Sequence, residues 1–243
     1  MYKYFYFLLF SLLFTQNQTV DEIIDKIDFN LNSNNRIIES EMVVHGKRAS
    51  RTIASISWIE GADRALTEYT APPREVGNKM LKIDDKLLTY TRQTDRIIQI
   101  SGHMLRQSVM GSDMSYNDIM EDESFKRMYT AVIEREEYIN GRKCYVLYFE
   151  SKQEGVPYPK RRGWIDAEYF LPIKEELYAE SGKLLKSTSM DQIEKIGDRW
   201  FPMRFIFKDE LKKNSKGTEW KIITIQFDVD IPSDMFTKSN LLK

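Results

Sequence analysis

The chain has 243 residues, 42% of them hydrophobic and 12% aromatic, and its 36 basic and 37 acidic side chains leave a formal net charge of −1. That length suits one β domain, since sandwiches and barrels run to about 200 to 250 residues without splitting, and the cancelling charge excludes the basic field that nucleic acid requires. A single cysteine, Cys144, excludes an internal disulfide, and its place in RKCYVLYFE reads as a small buried strand residue beside Val146.

Lys3 and the apolar run Tyr4 to Phe14 (YFYFLLFSLLF) have the layout of a secretory signal peptide, the run being shorter than the roughly 20 residues that span a bilayer. The polar segment Thr15 to Thr19 is where cleavage is expected, giving a leader over 1–18 and a mature chain over 19–243. An uncleaved anchor is the alternative. No cysteine follows the run, so a lipid-modified N-terminus is not expected.

Thr19-Val20-Asp21-Glu22 has the spacing of a capping box, and Val20, Ile23, Ile24, Ile27 and Leu31 recur at helical intervals, which predicts one amphipathic helix. From Arg36 onward the period becomes two, in 51–58, 65–70, 80–83, 87–91 and 96–101. Turn signals at Gly46, Gly61, Pro72-Pro73, Asp84-Asp85 and Thr94-Asp95 fall about ten residues apart, as an antiparallel meander needs. The stretch from Gly102 to Lys126 breaks the rhythm and carries Met104, Met110, Met114 and Met120. It reads as a long loop with helical turns near 105–110 and 116–120. Strands resume at 129–135, 142–150, 161–167, 173–179, 184–196, 201–208 and 219–228, with Asn140-Gly141 and Ser181-Gly182 as the more diagnostic turns. A sheet of roughly a dozen strands must curl, close or split, and the N-terminal helix is a candidate cover for its concave face. The expected fold is mainly β: a large curved antiparallel sheet forming an incomplete, half-open barrel. The aromatic and methionine content suits either a plastic apolar cavity or a solid core.

Candidate chemistry is sparse. His103, Ser108 and Asp113 include the residue types of a hydrolytic triad, yet no Gly-x-Ser-x-Gly elbow surrounds Ser108, and Gly111-Ser112-Asp113 reads better as a turn. Asp113, Asp118, Glu121, Asp122 and Glu123 are hard oxygen donors, but their spacing fits no EF-hand, and His45, His103 and Cys144 lie too far apart to suggest zinc. No phosphate-cradling glycine loop occurs, so no metal or cofactor is expected. Lys160-Arg161-Arg162 reads either as a solvated turn or as a contact for lipid headgroups or an acidic partner.

The stretches Trp58 to Tyr90 and Arg96 to Asp113, with the tail Gly197 to Pro202, Asp230-Ile231-Pro232 and Phe236-Thr237, resemble the periplasmic outer membrane lipoprotein-sorting (LolA-like) proteins across the mature chain. The ordered set Arg64, Pro73, Arg74, Gly77, Arg96, Ser108, Met110, Gly111, Ser112, Asp113 and Asp118 carries the resemblance most specifically. It implies a half-open barrel with a helical lid, a cavity for the acyl chains of lipoproteins or other lipids, and a periplasmic carrier without covalent chemistry. The partners it implies are an inner-membrane transporter and an outer-membrane acceptor. An envelope sensor of mislocalised lipoprotein and a lipid esterase are the rival functions. Carriers of this fold hold the lid with an Arg on an early strand; Arg64 is nearby, and that role is not carried over. On this resemblance and the apolar alternation, the expected cavity residues are Trp58, Leu66, Met80, Leu88, Tyr90, Ile98 and Ile100. The Met-rich segment supplies Met104, Leu105, Val109, Met110, Ile119 and Met120 as either a mobile gate or a static plug.

Overall fold

The computed structural model describes residues 18–46, 48–121, 124–213 and 215–242; the expected leader lies outside them. Helix α1 (Val20–Leu31) begins where the capping box predicts: the Thr19 hydroxyl accepts from Glu22 N at 3.3 Å, and the Glu22 carboxylate accepts from Thr19 N at 3.0 Å. Its apolar stripe of Ile23, Ile24 and Ile27 is buried against Leu147, Phe149 and Ile165.

A 13-stranded antiparallel sheet follows. Its first block is β1 (Asn35–His45), β2 (Ser50–Glu60), β3 (Arg64–Ala71), β4 (Lys79–Ile83), β5 (Lys86–Thr91) and β6 (Arg96–Ile100). Its second block is β7 (Tyr129–Ile139), β8 (Arg142–Ser151), β9 (Lys160–Asp166), β10 (Pro172–Tyr178), β11 (Leu184–Ile196), β12 (Arg199–Asp209) and β13 (Thr218–Phe227). Each block is a meander, as the turn spacing predicts. The two are joined by pairing of the first strand with the last, β1 with β13, from Arg36 opposite Phe227 to Val44 opposite Thr218. The sheet therefore ends at β6 and β7, which are consecutive in the chain and do not pair. It curls without closing, which is the expected half-open barrel.

Both faces are covered over part of the sheet. On the concave side α1 packs at the β7 to β9 end, and the described residues of the connection between β6 and β7 pack over Met42, Tyr69, Met80 and Ile100. On the convex side the C-terminal segment brings Phe236 and Leu241 onto Leu66, Leu81 and Leu88, with Trp58 and Tyr90 beside them. Farther along that side Cys144, Val146 and Trp164 form a separate cluster, and burial pushes the Cys144 thiol up to about 11. Leu147 is fully buried under α1, so Leu147→Ala is expected to cost about 2–5 kcal/mol, read as a lower urea midpoint at unchanged m-value.

Candidate functional site

The concave face holds a half-open cavity of about 360 Å³. Strand alternation explains why space remains there. The positions that β1, β2 and β3 turn inward include Ser40, Ser55, Ser57, Ala65 and Thr67, side chains too small to fill the curl of the sheet. Their hydroxyls are satisfied in pairs, Ser40 with Ser55 at 3.3 Å and Ser57 with Thr67 at 2.9 Å, so the floor presents little unmet polarity. Larger apolar groups complete it: Ile38, Met42, Ile53 and Ile59 from the same strands, with Met190 beside an aromatic wall of Phe201, Phe205, Phe207 and Trp220. In that wall the Phe201–Phe205 and Phe205–Trp220 ring centroids lie 6.2 and 5.5 Å apart.

The roof is formed by the described residues of the connection between β6 and β7, which hold 3₁₀ turns at Gly102–Arg106 and Val109–Gly111 and the short helices α2 (Tyr116–Met120) and α3 (Phe125–Met128). Apolar contacts seat it. Met104, Leu105 and Met120 pack on Met80, Leu87 and Ile100, while Met110, Met114 and Ile119 join Met42, Val44, Ile53 and Tyr69. Val109 and Ile119 reach the cavity itself. Met110 and Gly111 both take left-handed backbone, φ 49° and 70°, and a Cβ on Gly111 would stand 3.3 Å from the Arg51 guanidinium, which accounts for glycine there.

Buried charge ties this roof to the second strand block. Asp118 completes the capping box of α2, its carboxylate accepting from Ser115 N at 2.6 Å; it also accepts from Tyr158 OH at 2.6 Å and pairs with Lys186 of β11. Burial and the Asp118 charge together push the Tyr158 phenol well above its ordinary range. Lys186 donates as well to Asp113 O at 3.0 Å. Lys212 donates to Asp113 Oδ1 at 3.0 Å, Ser112 O at 2.7 Å and Ser108 Oγ at 3.2 Å, and Asp113 N donates to Thr218 Oγ1 at 2.9 Å. Glu121 pairs with Arg161 of β9, whose Nε donates to Tyr129 OH at 2.8 Å. Lys82 donates to Met120 O at 2.7 Å.

The residues expected to line the cavity separate onto different surfaces. Met80 lines it. Trp58, Leu66, Leu88 and Tyr90 instead face the convex side under the C-terminal segment, Ile98 is exposed on the edge strand, and Ile100 packs behind the roof. Trp58 is the instructive case: alternation puts Ser55 and Ser57 inward and Trp58 outward, the reverse of a reading that followed the larger side chain. Of the ordered family set, Ser108, Ser112, Asp113 and Asp118 converge on the lysines that fasten the roof. Arg64 stands at the cavity rim, paired with Glu60 at 2.9 Å. Pro73, Arg74 and Gly77 shape the β3–β4 connection, where Gly77 has φ 81° and an added Cβ would come within 2.7 Å of Arg92 Cδ; Arg96 starts β6.

Ser108 and Asp113, weighed as triad members, both meet Lys212, and no hydrogen bond joins His103 to either among the described residues. Asp113, Asp118 and Glu121, weighed as metal donors, hold cationic side chains instead; Asp122 and Glu123 lie outside the described residues. The Lys160-Arg161-Arg162 cluster is strand rather than turn. Alternation sends Arg161 into the cavity wall and Arg162 outward to Glu134 at 2.7 Å.

Comparison with known proteins agrees with this architecture. A search of curated proteins finds no sequence match. A family model described as "-like: Uncharacterized protein" matches residues 61–243. Among solved structures, a putative outer membrane lipoprotein-sorting protein domain from Vibrio parahaemolyticus superimposes with TM-score 0.79 at 22% identity, covering 91% of this chain and 97% of that one. A DUF1329 family protein from Desulfovibrio piger gives 0.81 at 21% identity over 90% and 96% of the two chains. A LolA superfamily protein from Nitrosomonas europaea gives 0.73 at 23% over 92% and 99%. The chain thus belongs to the family whose model spans residues 61–243, and its fold is that of the LolA-like, lipoprotein-sorting proteins.

Proposed function

We propose that residues 19–243 act as one lipid-binding domain, a periplasmic carrier that holds the acyl chains of a lipoprotein or another lipid and moves them toward the outer membrane without covalent chemistry. The observation that carries this reading is the half-open, mostly apolar cavity between the small-residue floor and the fastened roof. Its volume falls within the range of about 300–1,000 Å³ typical of small-molecule sites. Methionines on both roof and floor, Met80, Met114 and Met190, adapt to chains of different shape. The apolar run Tyr4 to Phe14 supports export, and the lipoprotein-sorting neighbours support the client class. An inner-membrane transporter that loads the carrier and an outer-membrane acceptor that unloads it are the partners such a cycle requires.

The test is native mass spectrometry of the purified protein followed by solvent extraction. Lipid is expected to copurify, and delipidated protein is expected to take up a fluorescent acyl probe. Protein that emerges empty and refuses the probe would end the carrier reading.

A further inference from the structure

Glu175 lies in the middle of β10, lines the cavity, and is 8% exposed. Its neighbours across the sheet are Gly163 on β9 and Thr188 on β11, so one of its two flanks carries no side chain at all. The other charged groups on the wall are committed elsewhere. Arg161 holds Glu121 and Tyr129, Lys186 holds Asp118, Lys82 holds Met120 O, Arg64 holds Glu60, and Arg36, which also lines the cavity, is itself engaged. Among the described residues, no hydrogen bond or ion pair ends on Glu175, whose electrostatic neighbour is Arg161. Burial pushes its carboxyl above the usual range, with the Arg161 charge opposing.

A carboxyl that faces a cavity, with no protein hydrogen bond ending on it, takes a water, an ion or a ligand atom as its partner. An anionic headgroup would find the wall's cations already paired. A cationic one would enter beside Arg161, Lys186 and Lys82. A neutral hydrogen-bond donor suits the site best. We propose that Glu175 is a headgroup-recognition site, accepting a hydrogen bond from the hydroxyl or amide at the polar end of an amphiphile whose acyl chain fills the adjoining apolar cavity. The assignment rests on the lipid-binding reading and narrows its client to neutral-headed amphiphiles.

The experiment compares two ligands of equal acyl length, a monoacylglycerol and a fatty acid methyl ester, as competitors for a fluorescent acyl probe on the mature protein. The wild type is expected to bind the monoacylglycerol about tenfold more tightly, the value of one hydrogen bond to a buried carboxyl. Glu175→Leu should bind both ligands alike with the ester affinity retained. Glu175→Ala, smaller and equally without an acceptor, stands in where leucine disturbs folding. Equal affinities in the wild type, or a preference that survives in these variants, would overturn the headgroup assignment and leave acyl binding intact. Binding of neither ligand would remove the carrier reading and this assignment with it.

Discussion

Asp118→Ala is expected to lower the thermal midpoint by roughly 10 °C and to loosen the roof of the cavity more than any other part of the molecule. The side chains of Asp118 and Lys186 are 10% and 12% exposed, and removing the carboxylate leaves a nearly buried ammonium without its counter-charge. Breaking such a pair costs about 3–5 kcal/mol, and a chain of this size loses about 2–4 °C per kcal/mol. Tyr158 loses its acceptor and α2 half of its capping box in the same step. Replacing both partners, Asp118→Ala with Lys186→Met, should recover much of the loss, because no charge is then stranded. Calorimetry checks the midpoint, and hydrogen exchange checks where the loosening falls. Protection lost evenly over the sheet, with 101–128 no worse than the rest, would show that Asp118 does not fasten the roof. The same measurement with and without bound lipid separates a gate from a plug: a gate gains protection on loading, and a plug is equally protected in both states.

Ser55→Phe is expected to abolish acyl uptake, lowering affinity at least about tenfold, with little loss of stability. Ser55 is at the floor on β2, opposite Ser40 of β1, and an aromatic ring there enters the volume a chain would occupy. Overpacking a filled core costs about 1–3 kcal/mol, but at this position the ring has space to enter. Leu88→Ala is the contrast. Leu88 is 6% exposed on the convex side under Phe236 and Leu241, so its truncation should cost about 2–5 kcal/mol and leave lipid affinity unchanged. A probe titration on each variant decides. Uptake that survives Ser55→Phe and fails in Leu88→Ala would move the binding site to the other face of the sheet.

These two substitutions also mark where sequence reading stops. Patterns of period two locate the strands, and the gap in that pattern locates the roof, because both are local properties of neighbouring residues. Which face of β2 to β5 is hollow is not local. Leu66 and Leu88 look like cavity residues because they are apolar and alternate, and they are buried because the C-terminal segment folds back over them. With both faces covered, burial no longer distinguishes inside from outside, and the larger side chains go to the packed face while the small ones border the space. The signal that could have found the floor is the coincidence of Ser40, Ser55, Ser57, Ala65 and Thr67 on adjacent strands, which requires the register of β1 with β2 and β2 with β3.

By itself the sequence determined the capped helix at Val20–Leu31, the two meanders, the Met-rich interruption between them and, through the ordered set from Arg64 to Asp118, the LolA-like fold. The helix, the meanders and the interruption follow from spacing along the chain, and the fold family from the resemblance that the ordered set carries. The tertiary structure alone decided the β1–β13 pairing that joins the blocks, the inward turn of Arg161 and Glu175, and the Asp118–Lys186 and Asp113–Lys212 ties that fasten the roof. Each depends on residues about 70 to 190 positions apart being brought together when a twisted sheet curls until its edges approach, and chain spacing carries no record of that geometry.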